Sequence, residues 1–256
     1  MKVGFFDSGY GGLTILEAFK RRCPEVDTEY IADSRHCPYG NRSNDEIFRL
    51  SDNCVKRLLK RGCSVIVVAC NTATAAAIDR LRAKYPSIPF VGLEPAIKPA
   101  AIRSKSGVVA VLATRGTFNG RLYNETKARF AKNVTVIATV ADEFVTEVEK
   151  LKGAAVGTLG AAKRARLERI VLRRIEPLLA AGADKIVLGC THFPHLRPII
   201  EKIAGPDVEV IDSSDAVAAQ IERQLQANPD FQKGSIGKKT SFPRAAGVRT
   251  RVGRRW

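Results

Sequence analysis

Short apolar runs alternate with segments of helical periodicity along almost the whole chain, and this alternation restricts the fold more than any other feature of the sequence. Repeated β-α units predict parallel sheet with helices packed on its faces, an α/β fold. Eight runs are predicted to be strands: residues 3–6, 29–32, 65–69, 90–93, 108–113, 134–138, 186–188 and 208–211. Between the second and third runs, Ser43 and Glu46 have the spacing of a capping box. They predict a helix that ends near Gly62.

A weak internal repeat indicates that the chain has two similar halves. Residues 65–72 read VIVVACNT and residues 186–192 read IVLGCTH, so each copy is a buried-type strand followed by a cysteine and polar residues. The two cysteines are Cys70 and Cys190. A chain of 256 residues is long enough for one large domain or two modest ones.

The composition is that of an ordinary globular protein, with 45% hydrophobic and 27% charged residues. No apolar run approaches the roughly 18 residues of a membrane span, and Asp7 interrupts the first run too early for a signal peptide. We therefore expect a soluble, cytoplasmic protein. The six cysteines include no C-x-x-C pair, so we expect free thiols. Four of them, Cys23, Cys37, Cys54 and Cys63, are predicted only to fill space.

The positions that follow the predicted strands are unusually polar. Ligands of open α/β sheets bind beyond the carboxyl ends of the strands, so these positions are the candidates for function. They are Asp7, Ser8, Asp33, Ser34, Cys70, Asn71, Thr72, Thr114, Thr117, Cys190, Thr191, His192, Asp212, Ser213 and Ser214. The glycine-rich turn at residues 9–12 lacks the spacing and the lysine of a nucleotide-binding loop. Its glycines are predicted to let backbone N–H groups approach a small anion at the start of a helix.

Cys70 and Cys190 each follow a predicted strand and precede a predicted helix, where the positive end of the helix stabilises a thiolate. One such cysteine alone is more simply a buried structural residue, but two in matched settings favour a pair of bases. A zinc site would need four ligands at recognisable spacing, and Cys190, His192 and one distant cysteine supply too few. A Cys190–His192 nucleophile of the thiol-hydrolase type stays open, although it leaves Cys70 without a role.

Two thiols suit a reaction that removes an α-hydrogen from one face of a carbon and returns a hydrogen to the opposite face. Each thiol must lose its proton to a neighbour, and Asp7 and His192 are the nearest candidates by residue type. Hydroxyls and amides can then bind the carboxylates and ammonium of an amino-acid substrate. The candidates are Ser8, Asn71, Thr72 and Thr191.

Four segments together resemble the glutamate racemase branch of the aspartate/glutamate racemase superfamily. They are residues 4–9 (GFFDSG) with 11–14 (GGLT), Asp33 with residues 38–40 (PYG), residues 69–73 (ACNTA) and residues 188–194 (LGCTHFP). The resemblance extends to about residue 220. It implies a two-base mechanism without pyridoxal phosphate, another cofactor or a metal. Cys70 would act on the D-glutamate face with Asp7, and Cys190 on the L-glutamate face with His192.

The resemblance also implies the substrate pocket, the partners and the architecture. The pocket would comprise Asp7, Ser8, Tyr39, Gly40, Asn71, Thr72, Thr114, Thr117, Thr191 and His192. Two similar domains with mostly parallel sheets would enclose an active site in the cleft between them. The first would be residues 1–93 plus 207–230 and the second residues 94–206. A homodimer that supplies D-glutamate for peptidoglycan is implied as well. His192 favours glutamate as the substrate, because aspartate racemases usually have a glutamate residue at this position.

Residues 231–256 form a basic extension without a counterpart in that family. Half of the net charge of +16 lies after Asp230, where no acidic residue occurs, and this composition predicts a solvated, flexible tail. A second basic cluster at residues 163–174, offset locally only by Glu168, lies on a predicted helix. Both could bind nucleic acid without sequence preference. The absence of an aromatic platform disfavours that alternative, and no membrane partner is expected.

Overall fold

The computed structural model describes residues 1–151 and 154–227, and it contains two four-stranded sheets. The first sheet has the order β2-β1-β3-β4 and the second has the order β6-β5-β7-β8. Every neighbouring pair of strands is parallel. The strands are β1 (Lys2–Asp7), β2 (Asp27–Ala32), β3 (Val65–Val68), β4 (Phe90–Val91), β5 (Val108–Ala113), β6 (Thr135–Val140), β7 (Lys185–Leu188) and β8 (Glu209–Asp212).

Helices connect the strands and cover both faces of each sheet. They are α1 (Leu13–Arg22), α2 (Asn44–Lys60), α3 (Asn71–Lys84), α4 (Ile97–Arg103), α5 (Arg115–Phe118), α6 (Arg121–Phe130), α7 (Asp142–Glu149), α8 (Ala161–Ala180), α9 (Arg197–Ala204) and α10 (Ser214–Gln226). Short 3-10 helices lie at Val156–Thr158 and Phe193–Leu196. The first sheet is buried between α1 and α10 on one face and α2 and α3 on the other.

The α/β fold with two similar halves is confirmed. Each half has the same strand order, and β3 and β7 occupy equivalent central places in it. The two cysteine-containing segments of the internal repeat are therefore structural counterparts. All eight predicted strands form. β3 is buried at every residue, as the uninterrupted apolar run predicts for a central parallel strand. The hydroxyl of Ser43 accepts the backbone N–H of Glu46 at 3.2 Å and caps α2, as predicted.

The predicted return of the chain to the first half at residue 207 needs correction. β8 pairs with β7 over its whole length, from Lys185 opposite Glu209 to Leu188 opposite Asp212, and so belongs to the second sheet. Without it, the edge of the fully buried β7 would expose unpaired backbone groups. The return begins instead at α10, which buries Val217, Ala218, Ile221 and Leu225 in the core beside α1. Residues 228–230 and the predicted tail at 231–256 lie outside the described residues.

The second basic cluster lies on α8, and acidic residues of the preceding helix neutralise part of it. Arg166 makes two hydrogen bonds of 2.6 and 2.9 Å to Glu147, and Arg174 pairs with Glu143. From the sequence alone, Glu168 is the one acidic residue expected to offset the positive charges of this cluster. In the part of the chain that is described, no helix combines the length and the apolar character needed to cross a membrane.

Candidate active site

The predicted site residues gather where the carboxyl ends of the two sheets meet. In each sheet the second strand in chain order pairs with one side of the first strand and the third strand pairs with its other side. This reversal creates a crevice at the carboxyl ends of the strands. Asp7 ends β1 and Cys70 lies two residues beyond β3, whereas Thr114 follows β5 and Cys190 lies two residues beyond β7. Contacts across the cleft are close: a Cβ atom on Gly11 would lie 2.6 Å from Nδ1 of His192.

Cys70 occupies the N-cap position of α3 and is only 5% exposed. Its Sγ lies 3.7 Å from the hydroxyl of Ser8. Burial, followed by the nearby carboxylate of Asp7, raises the pKa of Cys70 well above its ordinary value, although the backbone N–H of Ala73 and the Ser8 hydroxyl act in the opposite direction. The expected stabilisation of the thiolate by the helix end is therefore outweighed, and Cys70 is a thiol at neutral pH.

Asp7 is fully buried and held by the glycine-rich turn. Its Oδ2 accepts the backbone N–H groups of Gly9 at 3.3 Å and Gly12 at 3.0 Å. The turn was expected to present its amides to a bound anion, but the carboxylate of Asp7 accepts two of them instead. Glycine at position 12 lets the turn pack closely against the chain after β3, since a Cβ there would lie 2.8 Å from the carbonyl oxygen of Ala69.

Cys190 has a different local setting. It is 7% exposed and follows β7 as predicted, but a 3-10 turn comes next and α9 begins only at Arg197. The argument from a helix N-terminus therefore applies to Cys70 and fails for Cys190, where no α-helix starts. The neighbour of Cys190 is instead the imidazole of His192, whose Nδ1 lies 3.8 Å from Sγ of Cys190.

His192 is fully buried, and its Nε2 lies 2.6 Å from Oε1 of Glu149. Burial alone would lower the pKa of this imidazole, but hydrogen bonds to Cys190, Cys37 and Glu149 prevail and raise the pKa well above its ordinary value. His192 therefore carries a proton at neutral pH. With Nε2–H donating to the carboxylate, Nδ1 is the ring nitrogen that faces Cys190.

Glu149 joins the two halves and was not among the predicted site residues. Its Oε1 also accepts the backbone N–H of Tyr10 at 2.8 Å, so one carboxylate oxygen bridges the first-half turn and the second-half histidine. A Cβ on Gly9 would lie 2.1 Å from this oxygen. No local motif marks Glu149, because its partners lie far away in sequence.

Hydroxyl groups form a second link across the cleft. Thr114 Oγ1 lies 2.8 Å from Thr72 Oγ1 and 3.0 Å from Thr117 Oγ1. Gly40 comes close to the same place, since a Cβ there would lie 3.4 Å from that of Thr114. The hydroxyl of Tyr39 donates to Asp33 at 2.6 Å. All ten residues of the predicted pocket thus lie along this cleft or directly behind it.

Three buried polar atoms of the cleft have no hydrogen-bond partner among the described residues. They are Oδ1 of Asp7, Nδ2 of Asn71 and Oγ1 of Thr191. Buried polar atoms are nearly always partnered in folded proteins, so an unpaired acceptor beside two unpaired donor groups indicates a place for a ligand. Acceptor and donors together match a molecule that carries both ammonium and carboxylate groups.

Similarity to known proteins identifies the family. The Asp/Glu/hydantoin racemase family matches residues 13–221. The chain belongs to this family. It is 44% identical over 243 residues to the glutamate racemase of Herpetosiphon aurantiacus, a match that covers 93% of this chain and 92% of that protein. The glutamate racemase of Roseiflexus sp. is 42% identical over 239 residues, covering 91% and 85%.

A solved structure agrees with this assignment. The glutamate racemase of Escherichia coli, in complex with L-glutamate and the activator UDP-MurNAc-ala, superposes with a TM-score of 0.76 at 33% identity. The match covers 89% of this chain and 83% of that one. The chain is therefore a racemase with the two-domain α/β fold of its relatives, as the sequence motifs predicted.

One polar strand end borders the cleft with its side chain already partnered, since Asp212 lines the same small cavity as Asn71 and Cys190. Asp212 pairs with Arg197 and accepts the backbone N–H of Ser214 at 2.7 Å. Among the cysteines, Cys23, Cys54 and Cys63 are buried in the hydrophobic cores, as predicted. Cys37 differs, because it is half-buried beside His192.

Proposed function

We propose that this racemase is a cofactor-independent glutamate racemase that uses Cys70 and Cys190 as its two acid–base groups. The observation that carries the proposal is their placement: two thiols at equivalent strand ends border one buried cleft. One has Asp7 beside it and the other has His192. The negative charge of Cys190 contributes to the raised pKa of Cys70, which is consistent with two thiols facing one small substrate. Glutamate as the substrate is supported by the activity of the relatives.

The forward reaction begins with L-glutamate between the thiols. The Cys190 thiolate takes the α-hydrogen as a proton, and the electron pair of the broken C–H bond stays on the α-carbon. The Cys70 thiol then gives its proton to the opposite face, which forms the new C–H bond of D-glutamate. Cys70 is left as a thiolate and Cys190 as a thiol, so the reaction consumes no net proton. D-glutamate reacts by the reverse sequence.

The neighbours of each thiol reset it between turnovers. His192 releases its Nδ1 proton to solvent and then takes the proton from Cys190 through the same atom. Glu149 stabilises the restored imidazolium through Nε2 at 2.6 Å. On the other side, the carboxylate of Asp7 favours return of a proton to Cys70, because it opposes a second negative charge nearby.

The substrate would satisfy the unpaired atoms of the cleft. Oδ1 of Asp7 accepts from the α-ammonium group, and Asn71 and Thr191 donate to carboxylate oxygens. Both cysteines are more than nine-tenths buried, so the halves must separate before glutamate enters. The contacts that would break in that motion include the Tyr10–Glu149, Thr72–Thr114 and Asp79–Arg121 bonds.

The thiol-hydrolase alternative is less well supported. It would use Cys190 and His192 as nucleophile and base. It gives no role to Cys70 or to the carboxylate beside it, whereas racemisation uses both sides of the cleft.

Circular dichroism of glutamate solutions tests the proposal. Purified protein without added cofactor should abolish the signal of either enantiomer of glutamate and leave aspartate almost unchanged, and its absorption spectrum should lack a Schiff-base band. Loss of the aspartate signal with retention of the glutamate signal would refute the assigned substrate. We further propose that the enzyme is a cytoplasmic homodimer that supplies D-glutamate for peptidoglycan. Growth of a D-glutamate-requiring bacterium without D-glutamate, restored by the wild type but not by Cys70→Ala, would support that role.

A further inference from the structure

Cys37, Glu149 and His192 form a compact group of three potential metal ligands at one side of the cleft. Each residue offers one ligand atom, and the three atoms lie within 4.8 Å of one another. They are a thiol sulfur, a carboxylate oxygen and an imidazole nitrogen. Among the described residues, this is the one such group. Cys37 is one of the four cysteines that are predicted only to fill space, so the sequence does not predict this group.

The separation of the three atoms is close to what zinc requires. Bonds of about 2.0 to 2.3 Å in tetrahedral geometry place ligand atoms roughly 3.3 to 3.7 Å apart. Atoms at the 4.8 Å limit would move together by about an ångström, whereas Nε2 of His192 and Oε1 of Glu149, now 2.6 Å apart, would separate by about as much. One Cys, one His and one carboxylate supply three positions, and the fourth remains for water or a solute.

Ligand chemistry selects the metal. A thiolate and an imidazole favour zinc over magnesium or calcium, which prefer oxygen ligands. The ligands are also already held in place. Glu149 is fixed by the backbone N–H of Tyr10 at 2.8 Å, and His192 is fully buried. This positioning reduces the cost of ordering them around an ion.

We propose that Cys37, Glu149 and His192 form an inhibitory zinc site that switches off the racemase. Zinc would displace the proton shared by His192 and Glu149 and the proton of the Cys37 thiol. The imidazole could then no longer exchange a proton with Cys190, so turnover would stop until a chelator removed the ion. This consequence for activity rests on the proposed function, whereas binding of the metal does not.

Cobalt provides a direct probe, because a cobalt–thiolate bond adds a charge-transfer absorption in the near ultraviolet. We expect reduced full-length protein to bind one Co²⁺ with this absorption, and Cys37→Ser and Cys37→Ala to lose it. Cys23→Ala, which removes a thiol in the core of the first half, should keep it. Cys70→Ala should also keep it, although it is inactive. An unchanged absorption in both folded Cys37 variants would overturn the proposal.

Zinc inhibition gives the second readout. Micromolar Zn²⁺ should inhibit the wild type reversibly, and the Cys37 variants should need at least roughly 100-fold more zinc, because loss of even an outer partner costs about 10- to 100-fold in metal affinity. Their activity without zinc is the reference for each inhibition curve, because the Cys37 thiol also contributes to the raised pKa of His192. Equal sensitivity of the wild type and both variants would refute the inhibitory site. If the wild type binds cobalt through Cys37 but does not racemise glutamate, the site stands and the proposed function fails.

Discussion

Cys70 and Cys190 end equivalent strands of two equivalent sheets, yet their surroundings carry opposite charges. The neighbour of Cys70 is a buried carboxylate, Asp7, which helps to raise the pKa of the thiol. The neighbour of Cys190 is His192, which hydrogen bonds keep protonated. The repeated architecture thus determines where the two thiols lie, and unrelated neighbours determine the charge beside each of them.

This difference sets the resting state that we propose for the enzyme. Cys70 holds its proton and is ready to donate, while the positive imidazolium lies next to Cys190. The free enzyme is then arranged to take a proton from L-glutamate, and one turnover inverts the arrangement. Each prediction below disturbs one side of the cleft and compares it with the other.

The largest effect is expected from removal of either thiol. Cys70→Ala and Cys190→Ala should each lower kcat for racemisation by about 10⁴-fold, the upper range for loss of an acid–base group, and the serine variants nearly as much. Binding of glutamate, measured by calorimetry, should change little because neither thiol anchors the carboxylates. Cys23→Ala is the matched control and should remain active. A single-thiol variant with more than a tenth of wild-type activity would contradict the two-base account.

Charge removal on one side at a time should separate the two half-reactions. Asp7→Asn and His192→Gln should each reduce kcat/KM by roughly 100-fold. The loss must be equal in both directions, because the two enantiomers have equal free energy. The α-deuterium isotope effect distinguishes the variants: His192→Gln should increase it for L-glutamate and Asp7→Asn for D-glutamate. If both variants shift the same enantiomer, the assignment of faces is wrong.

Replacement of the carboxylate behind His192 tests the origin of its protonation. Glu149→Gln removes one of the groups that raise the pKa of His192, so that pKa should fall. Activity that depends on the imidazolium should then disappear at a lower pH, and kcat/KM at neutral pH should fall by roughly tenfold. Glu147→Gln on the same helix, where the carboxylate faces Arg166, should leave the pH profile in place. An unshifted basic limb in Glu149→Gln would show that this carboxylate does not control the imidazole.

The smallest effect concerns the hydroxyl link between the halves. Thr114 follows β5 as Ser8 follows β1, but it bonds to Thr72 instead of a thiol. Thr114→Val should raise KM by about tenfold or less, the equivalent of one hydrogen bond. It should reduce the free energy of unfolding by about 1 to 3 kcal/mol, because two buried hydroxyls lose a partner. Urea unfolding and steady-state kinetics measure both. A changed isotope effect would mean that Thr114 takes part in proton transfer.

Local pattern was sufficient to predict much of this architecture. The eight apolar runs predicted the strands because central parallel strands are buried on both faces, and the Ser43–Glu46 spacing predicted the start of α2. The boundary at residue 207 failed for a physical reason. The apolar run at residues 208–211 predicts a strand but does not indicate which sheet the strand joins, and pairing with β7 places it in the second.

The site was predictable where its residues follow strands and unpredictable where distant elements meet. Cys70 and His192 lie in short motifs, whereas Glu149 and Cys37 come to the histidine through tertiary packing alone. The protonation of Cys70 also could not be read from its place before a helix. Burial and the charge of Asp7 act against the helix end, and their sum depends on the folded structure.

Racemisation in deuterium oxide tests the central claim of two separate acid–base groups most directly. L-Glutamate is incubated with the enzyme and analysed at low conversion, when little product has reacted back. Because Cys70 carries a solvent-derived deuteron, nearly every D-glutamate molecule should contain α-deuterium while the remaining L-glutamate contains almost none. Equal deuterium in both enantiomers from the first turnovers would indicate one shared base, and D-glutamate without deuterium would contradict proton transfer from a thiol.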